Sequence, residues 1–409
     1  MARRLPLILL LAAARAAAQP ACSVLSFGAR CDNATDDAPA IQRALDNAAC
    51  ASVVIPAGRA CVARALNISR MTGRALLVEG DLFVWRDPAT YRTTAATNMF
   101  LSATSYDGAW TGAALSRFTL AGGGRIVGGG AAWWPLAKAG ADRPRLVWVP
   151  NASDVTIANL TLIDSPAWNM GIRGDRILIT DVRVESGYGS CGGFGHAPNT
   201  DGANVGGHDI TVRNFFVHNG DDCVPITTGN DGTTSNVLVE NVHCECGTNG
   251  IVIYNQGGTT RGVTARNVTV LGTNQGAGVK LSRPGKDATG GLVTNVTFGP
   301  EYHISNPRYA ALYVNVFQED AQPPCVLPAK PDLPDWLTVR GVAFAGVTAQ
   351  LSGAAFSGCF RCTPGAPCDA TFDGVAVTRD GGGAAAPFVC LNMRGTAGAR
   401  GSEPPACAA

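Results

Sequence analysis

Asp221 and Asp222 stand side by side in NGDDCVPI (219–226), between a glycine and a cysteine. Two carboxylates this close repel each other. Repulsion raises the pKa of at least one, so such a pair can hold an acid and a base in one place. A second pair, Asp36-Asp37, offers a contrast. It precedes APAIQRALDNA, where Ile41 and Leu45 lie four apart and a proline sits near the start. Aspartate there can cap free N–H groups and suit the helix dipole. No helical pattern follows Asp222, so capping does not explain the second pair. Asp201, in NTDG (199–202), lies about twenty residues upstream. Three carboxylates gathered on one face are costly if dry and unpaired. Gathered at the surface of a groove, they are equipped for general acid–base work.

What would gather them is a repeat. From about residue 150 a register recurs in SDVTIANLTLIDS, DRILITDVRVESG, HDITVRNFFVHNG, SNVLVENVHCECG, RGVTARNVTVLGT and GGLVTNVTFGP. Each unit carries an alternating apolar strand, then Asn or Asp, then a second short strand. The anchors are Asn159, Asp181, Asn214, Asn241, Asn267 and Asn295, at steps of 22 to 28 residues with one of 33. A period of this size means a solenoid. Short strands without intervening helices favour a parallel β-helix over a leucine-rich repeat, whose LxxLxLxxN unit is missing. A β-sandwich also spaces strands regularly, but would not repeat the Asn in register. Equivalent positions on adjacent coils stack about 4.7–4.9 Å apart. The long step contains the Gly-rich GYGSCGGFGHAP, about eleven extra residues. Without it, Asp201 lies about nine past its anchor. Asp221 and Asp222 lie seven and eight past Asn214, and Asn249 eight past Asn241. Stacking alone leaves two readings open: one site, or three solvated turn residues.

The rest of the chain sets bounds. MARRLPLILLLAAARAAAQP has two leading arginines, a short apolar run and an A-x-A site, which predicts a signal peptide over 1–18 and a secreted protein. No later run is long enough to span a bilayer. Fourteen cysteines fit an oxidising compartment. None sits in a CxxC…CxxC frame, so zinc is not favoured. Sequons begin at Asn33, Asn67, Asn151, Asn159, Asn267 and Asn295. The formal charge is +1 without a basic block, which makes nucleic acid and anionic membrane poor partners. Residues 19–409 are expected to form one all-β domain, a right-handed parallel β-helix. It would carry an N-terminal helical cap and a Cys-rich C-terminal tail from about residue 355. A monomer is expected.

NTDG followed by GDDC (220–223) resembles the two carboxylate motifs of glycoside hydrolase family 28, the polygalacturonases. LTLIDSPAWNMGI (160–172) resembles that family's strand and SPxW segment. FGARCDNATDDAPAIQRALD, with VVIPAG after it, resembles the opening cap of pectin-acting β-helix proteins. The resemblance covers roughly residues 24 to 320. It implies a hydrolase of acidic plant or algal cell-wall polysaccharide, without a cofactor or metal. Asp221 would protonate the leaving oxygen, and Asp201 and Asp222 would activate the attacking water, with inversion. Asn199 would orient the site, and Cys223 would pair with Cys244 or Cys246. Two departures stand out. The family's Gly-His-Gly reads CGTNGIVIY here, with Asn249 (or Thr248, one residue earlier) in place of His. The family's Arg-x-Lys reads GAGVKL, with Gly278 in place of Arg while Lys280 is kept. Asn249 and Lys280 remain substrate-binding candidates, Lys280 beside the cleavage point rather than among the acids. His196 and His218, near the acids in sequence, could replace the missing imidazole or be ordinary surface residues. Rhamnogalacturonan-acting relatives also lack the His and the Arg. Rivals are a calcium-dependent lyase on the same fold and a glycan-binding protein that has lost activity.

Overall fold

The anchor residues share one backbone conformation. Asn159, Asp181, Asn214, Asn241 and Asn267 have φ of 50°, 56°, 49°, 53° and 49°, the left-handed region that Asn and Asp tolerate best. Each makes a corner that changes the phase of the chain. Val155 and Ile157 point inward before Asn159, and Leu160 and Leu162 after it. One left-handed residue therefore lets two successive strands bury their apolar sides in the same core. The corners also bond to each other along the axis. Asn214 Nδ2 donates to Asp181 Oδ1 at 3.0 Å, and Asn241 Nδ2 to Asn214 Oδ1 at 2.6 Å.

The computed structural model describes residues 20–91, 98–103, 114–137, 139–187, 189, 191, 195–255, 257–281, 290–316, 337–353, 355–382 and 388–397. The expected signal peptide and Cys325 and Cys407 lie outside the described residues. The architecture is the right-handed parallel β-helix expected. Met170–Glu185 pairs in parallel with Arg145–Ile163 on one side and Ala203–His218 on the other. Thr233–Glu245 and Gly258–Leu271 continue the stack. Inward residues form columns, one running Ile157, Ile179, Val212, Val239, Ala265, Phe298, Phe344, Phe372. Its last rings stack at 5.3 and 5.5 Å. A solenoid grows by adding coils to such a column, which is how the described residues bury their apolar side chains.

Three expectations need correction. Asn295 (φ 52°) belongs to a second column of corners, opposite Gly262 and Gly341, and the coil partner of Asn267 is Glu301 (φ 58°). Both columns use left-handed residues between short strands, so they look alike in one dimension. The described part of the Cys-rich segment after residue 355 does not trail from the solenoid. Phe356–Arg361, Cys368–Asp373 and Met393–Ala397 add further parallel rungs. The helix Ala38–Asp46 forms as expected and buries Ala40, Ile41, Ala44 and Leu45, but Asp37 does not cap it with its side chain. Asp37 has a helical backbone, φ −85° and ψ −2°, which aims its carboxylate away from the first turn. The carboxylate accepts instead from Arg30 N–H at 2.7 Å and Cys31 N–H at 3.0 Å. Asp36 Oδ1 takes one helix N–H, from Ala38 at 3.1 Å.

Asp37 is therefore a buried brace remote from the paired acids at 221 and 222. Asp37→Asn keeps one acceptor and turns an NH2 group toward a backbone donor. It is expected to cost about 1–3 kcal/mol of stability, seen as a lower melting temperature, with kcat unchanged.

Candidate active site

Asp201, Asp222 and Asn249 fall in one register column, because Val205 pairs with Ile226 and Val224 with Ile251. Asp221 lies one residue earlier in its coil. One carboxylate oxygen from each of Asp201, Asp221 and Asp222 lies within 4.8 Å of the others. The turns that carry them are tied by buried amides. Asn169 Nδ2 donates to Thr200 O at 3.1 Å and Asp201 O at 3.2 Å. Asn219 Nδ2 donates to Thr200 O at 2.9 Å and Asp222 O at 3.0 Å. Cys223 pairs with Cys244, one of the two partners expected, and Cys246 pairs with Cys191 in the Gly-rich loop. Gly247 lets the next coil close on the site: a Cβ there would meet Asp221 O at 2.2 Å.

The two adjacent acids keep different company. Asp222 is 3% exposed and bound on both oxygens. Lys280 Nζ donates to Oδ2 at 2.6 Å, Thr248 Oγ1 donates to Oδ1 at 2.6 Å, and Asn249 Nδ2 also donates to Oδ1. Asp221 Oδ1 lies 2.8 Å from the same Thr248 hydroxyl, whose single proton serves one acid at a time, and accepts from the Asp222 N–H at 2.9 Å, with Asn199 Nδ2 at 3.5 Å. Burial, then the charge of Asp222, pushes Asp221 up to about 6. Burial raises Asp201 well above the usual carboxylate range, with Asp221 and Asp222 adding to it. Its buried Oδ1 has no protein partner. Burial opposes the charge on Lys280, but Asp222 and Asp221 outweigh it and hold the ammonium above its ordinary pKa.

Lys280 thus sits among the acids, not beside them: from the strand Gln275–Leu281, two coils on, its long side chain reaches back to Asp222. Asn249 and Thr248, the two alternatives for the position of the family His, both contact the acid pair. Gly278 is not simply a lost arginine. A Cβ there would lie 2.0 Å from Tyr313 O and 2.6 Å from its ring. Tyr313 occupies that room and donates its hydroxyl to Asn249 Oδ1 at 2.8 Å, which fixes the Asn249 NH2 group on Asp222. Neither histidine reaches the acids. His196 is exposed near Trp134, while His218 is buried against Glu245 at 3.1 Å rather than lying at the surface. Sequence reasoning missed Tyr313 and Arg143. Arg143 donates to Pro166 O at 2.8 Å, Pro198 O at 2.7 Å and Asn199 Oδ1 at 2.6 Å, so it holds the Asn199 amide with its NH2 group toward Asp221. The only sequence signal for Tyr313 was the glycine opposite it.

The profile of Glycosyl hydrolases family 28 matches residues 74–399. The chain belongs to glycosyl hydrolase family 28. It is a glycoside hydrolase acting on O-glycosyl bonds. The probable endopolygalacturonase A of Aspergillus parasiticus is 28% identical over 265 residues, 63% of this chain and 67% of that protein. The probable endo-xylogalacturonan hydrolase A of Neosartorya fischeri is 27% identical over 331 residues, 76% of this chain and 75% of that one. Among solved structures, the endo-xylogalacturonan hydrolase from Aspergillus tubingensis superposes with TM-score 0.71 at 20% identity, covering 93% of this chain and 100% of that one. The polygalacturonase from Erwinia carotovora ssp. carotovora gives 0.68 at 18%, covering 92% and 97%. These two structures share the fold of this family 28 chain.

Two outcomes follow for the hydrolase. Because the folded pKa of Asp221 lies above its ordinary value of 3.8, its protonated form is favoured by folding. That stability is present below about pH 4 and lost as pH rises through about 6. Asp221→Asn should therefore melt higher than wild type at pH 7, by about 1–3 kcal/mol, and equal it near pH 3, while hydrolysis falls about 10²–10⁴-fold. Equal melting at both pH values would contradict the raised pKa. Lys280→Ala removes the ammonium in direct contact with Asp222 and raises the cost of each negative charge in the cluster. A charge-assisted bond of about 1.5–3 kcal/mol predicts kcat lower by about 10–100-fold, little affected by salt. A pure rise in KM would instead place Lys280 on substrate alone.

Proposed function

We propose that this family 28 enzyme is secreted and hydrolyses acidic pectic polysaccharide with a galacturonate backbone. The observation that carries the reading is the unequal environment of the neighbouring acids: Asp222 is bound by an ammonium, a hydroxyl and an amide, while Asp221 is pushed up to about 6. Two titratable groups with such different surroundings divide into acid and base. Asp221 gives its proton to the glycosidic oxygen as the bond to the anomeric carbon breaks. Water attacks that carbon, and its proton passes to Asp222, whose carboxylate Lys280 pairs. Asp201, whose buried Oδ1 has no protein partner, holds the attacking water by a hydrogen bond rather than taking its proton. Asn199, held by Arg143, orients Asp221. Inversion rests on the family alone. One oxygen of each acid lies within 4.8 Å of the others, closer than the about 6.5–9.5 Å usual between the carboxyl groups of an inverting pair.

Lys280 argues against a calcium-dependent lyase. Its ammonium already occupies the position on Asp222 that a cation would take. A binding protein that has lost activity would have no use for a raised Asp221 held by Thr248 and Asn199. Secretion is supported by the apolar leader and by the bridges Cys22–Cys50, Cys31–Cys61 and Cys362–Cys368 beside the two at the site. A second substrate reading, xylogalacturonan, is favoured by the relatives named for that activity and by the replacement of the family His and Arg at Asn249 and Gly278.

The test is a product profile on homogalacturonan, xylogalacturonan and rhamnogalacturonan, with proton NMR of the first-formed ends. New reducing ends of inverted configuration on a galacturonate backbone are expected. Retained configuration would replace single displacement by a covalent intermediate. Unsaturated ends absorbing in the ultraviolet would establish a lyase instead.

A further inference from the structure

Turnover moves a negative charge between the two neighbouring acids. Asp221 starts with a proton and ends as a carboxylate. Asp222 starts as a carboxylate and ends with a proton from water. Most donors around them cannot follow that exchange. Lys280 Nζ holds Asp222 Oδ2 at 2.6 Å. The Asn249 NH2 group also faces Asp222, and the buried Tyr313 hydroxyl, donating to Asn249 Oδ1 at 2.8 Å, keeps the amide from turning over. The Asp222 N–H is fixed on Asp221 Oδ1 at 2.9 Å. A fixed donor favours the charged form of its own partner and so resists any other distribution of charge.

One donor reaches both acids. Thr248 Oγ1 lies 2.6 Å from Asp222 Oδ1 and 2.8 Å from Asp221 Oδ1. Rotation about the Cβ–Oγ1 bond aims its single proton at either oxygen. The backbone of the residue is held in place meanwhile. Its N–H donates to Asp221 O at 2.9 Å, and its carbonyl accepts from the Gln275 N–H at 2.9 Å. Among the described residues, the charged groups acting on this pair are Lys280, Asp201 and Arg143. Tyr313 stays neutral, since burial raises its hydroxyl well above its ordinary pKa. With Asn249 in the acid column, the family's Gly-His-Gly reads Thr-Asn-Gly over 248–250. The hydroxyl therefore stands where that pattern has no side chain. An imidazole beside the acids could change its own charge, and the Asn249 amide cannot, which leaves the adjustment to Thr248.

We infer that Thr248 is a positioning residue for hydrolysis, whose hydroxyl turns from Asp222 to Asp221 as the negative charge passes between them. The inference rests on the acid and base roles proposed above. Before reaction the hydroxyl donates to the Asp222 carboxylate and leaves the Asp221 proton for the glycosidic oxygen. As the bond to the anomeric carbon breaks, that proton goes to the leaving oxygen. The hydroxyl then turns to the carboxylate left on Asp221, while the proton of the attacking water reaches Asp222. One proton has left Asp221, one has arrived on Asp222, and the Thr248 O–H bond stays intact throughout. Exchange with bulk water restores both acids.

The test compares Thr248→Val, which keeps the shape without the hydroxyl, with Thr248→Ser, which keeps the hydroxyl. On whichever of homogalacturonan, xylogalacturonan and rhamnogalacturonan the wild type cleaves fastest, Thr248→Val should lower kcat about 10–100-fold with KM nearly unchanged. Thr248→Ser should keep most of the rate. A second measurement needs no turnover. Burial and the charge of Asp222 raise Asp221 to about 6, and the Thr248 bond is among the effects that hold it down. That titration, read by carbon-13 NMR of labelled aspartate carboxyls and assigned by its loss in Asp221→Asn, should move to higher pH in Thr248→Val and stay in place in Thr248→Ser. Melting temperatures within a few degrees of wild type show that the variants fold. Thr248→Ala repeats the removal without a methyl against the carboxylates and serves where Val does not fold. Wild-type kcat in Thr248→Val, a loss confined to KM, a Ser variant as slow as Val, or an unmoved titration would overturn the inference and leave the acid and base roles standing. Full activity in Asp221→Asn would overturn those roles and the inference with them. A wild type that cleaves none of the three polysaccharides would overturn the proposed substrate, and the Asp221 titration would then decide the inference.

Discussion

The site depends on one constraint, the parallel register that stacks equivalent positions of successive coils at about 4.7–4.9 Å. For apolar side chains this spacing makes a column of contacts such as Ile157, Ile179, Val212 and Val239. For carboxylates it makes repulsion. Asp201 and Asp222 occupy neighbouring rungs of one column, with Asp221 beside them, so the fold itself imposes a crowding that adds to burial in raising Asp201 and Asp221. Much of what surrounds the acids can be understood as an answer to that crowding.

The answer comes from later coils. Thr248 and Asn249 donate from the next rung, Lys280 from the one after, and Tyr313 from the one beyond, through Asn249. Each donor is carried to Asp221 or Asp222 by the same register that creates the problem. Tyr313 reaches Asn249 only because position 278 has no side chain. The residue that departs from the family pattern is thereby a condition of the local packing. Gly171 likewise makes room for the Trp148 ring as Gly278 does for Tyr313.

Much of the fold was legible one residue at a time. The recurring Asn or Asp marks a left-handed corner, and the alternation around it marks inward and outward faces. The same signal misled at Asn295, because the solenoid has two columns of corners and both select Asn, Asp and Gly for the same backbone reason. The paired acids were legible because no helix follows Asp222, so the usual structural use for an Asp pair was absent. At Asp36-Asp37 the helix was present and Asp36 takes one of its N–H groups, but Asp37 does not cap it, since a side chain's direction follows from φ and ψ rather than from its place before a helix.

The sequence by itself determined the solenoid, the three acids and their order along it, because period, alternation and corner residues are local properties of the chain. It could not decide which donors answer the acids. Lys280 meets Asp222 from 58 residues away, Tyr313 meets Asn249 from 64, and Arg143 meets Asn199 from 56. His218, close to Asp221 in sequence, turns instead to Glu245. These partnerships depend on how far the loops between coils shift the register and on which side of a strand each residue emerges. Both are sums over many residues, and only the folded chain carries them out.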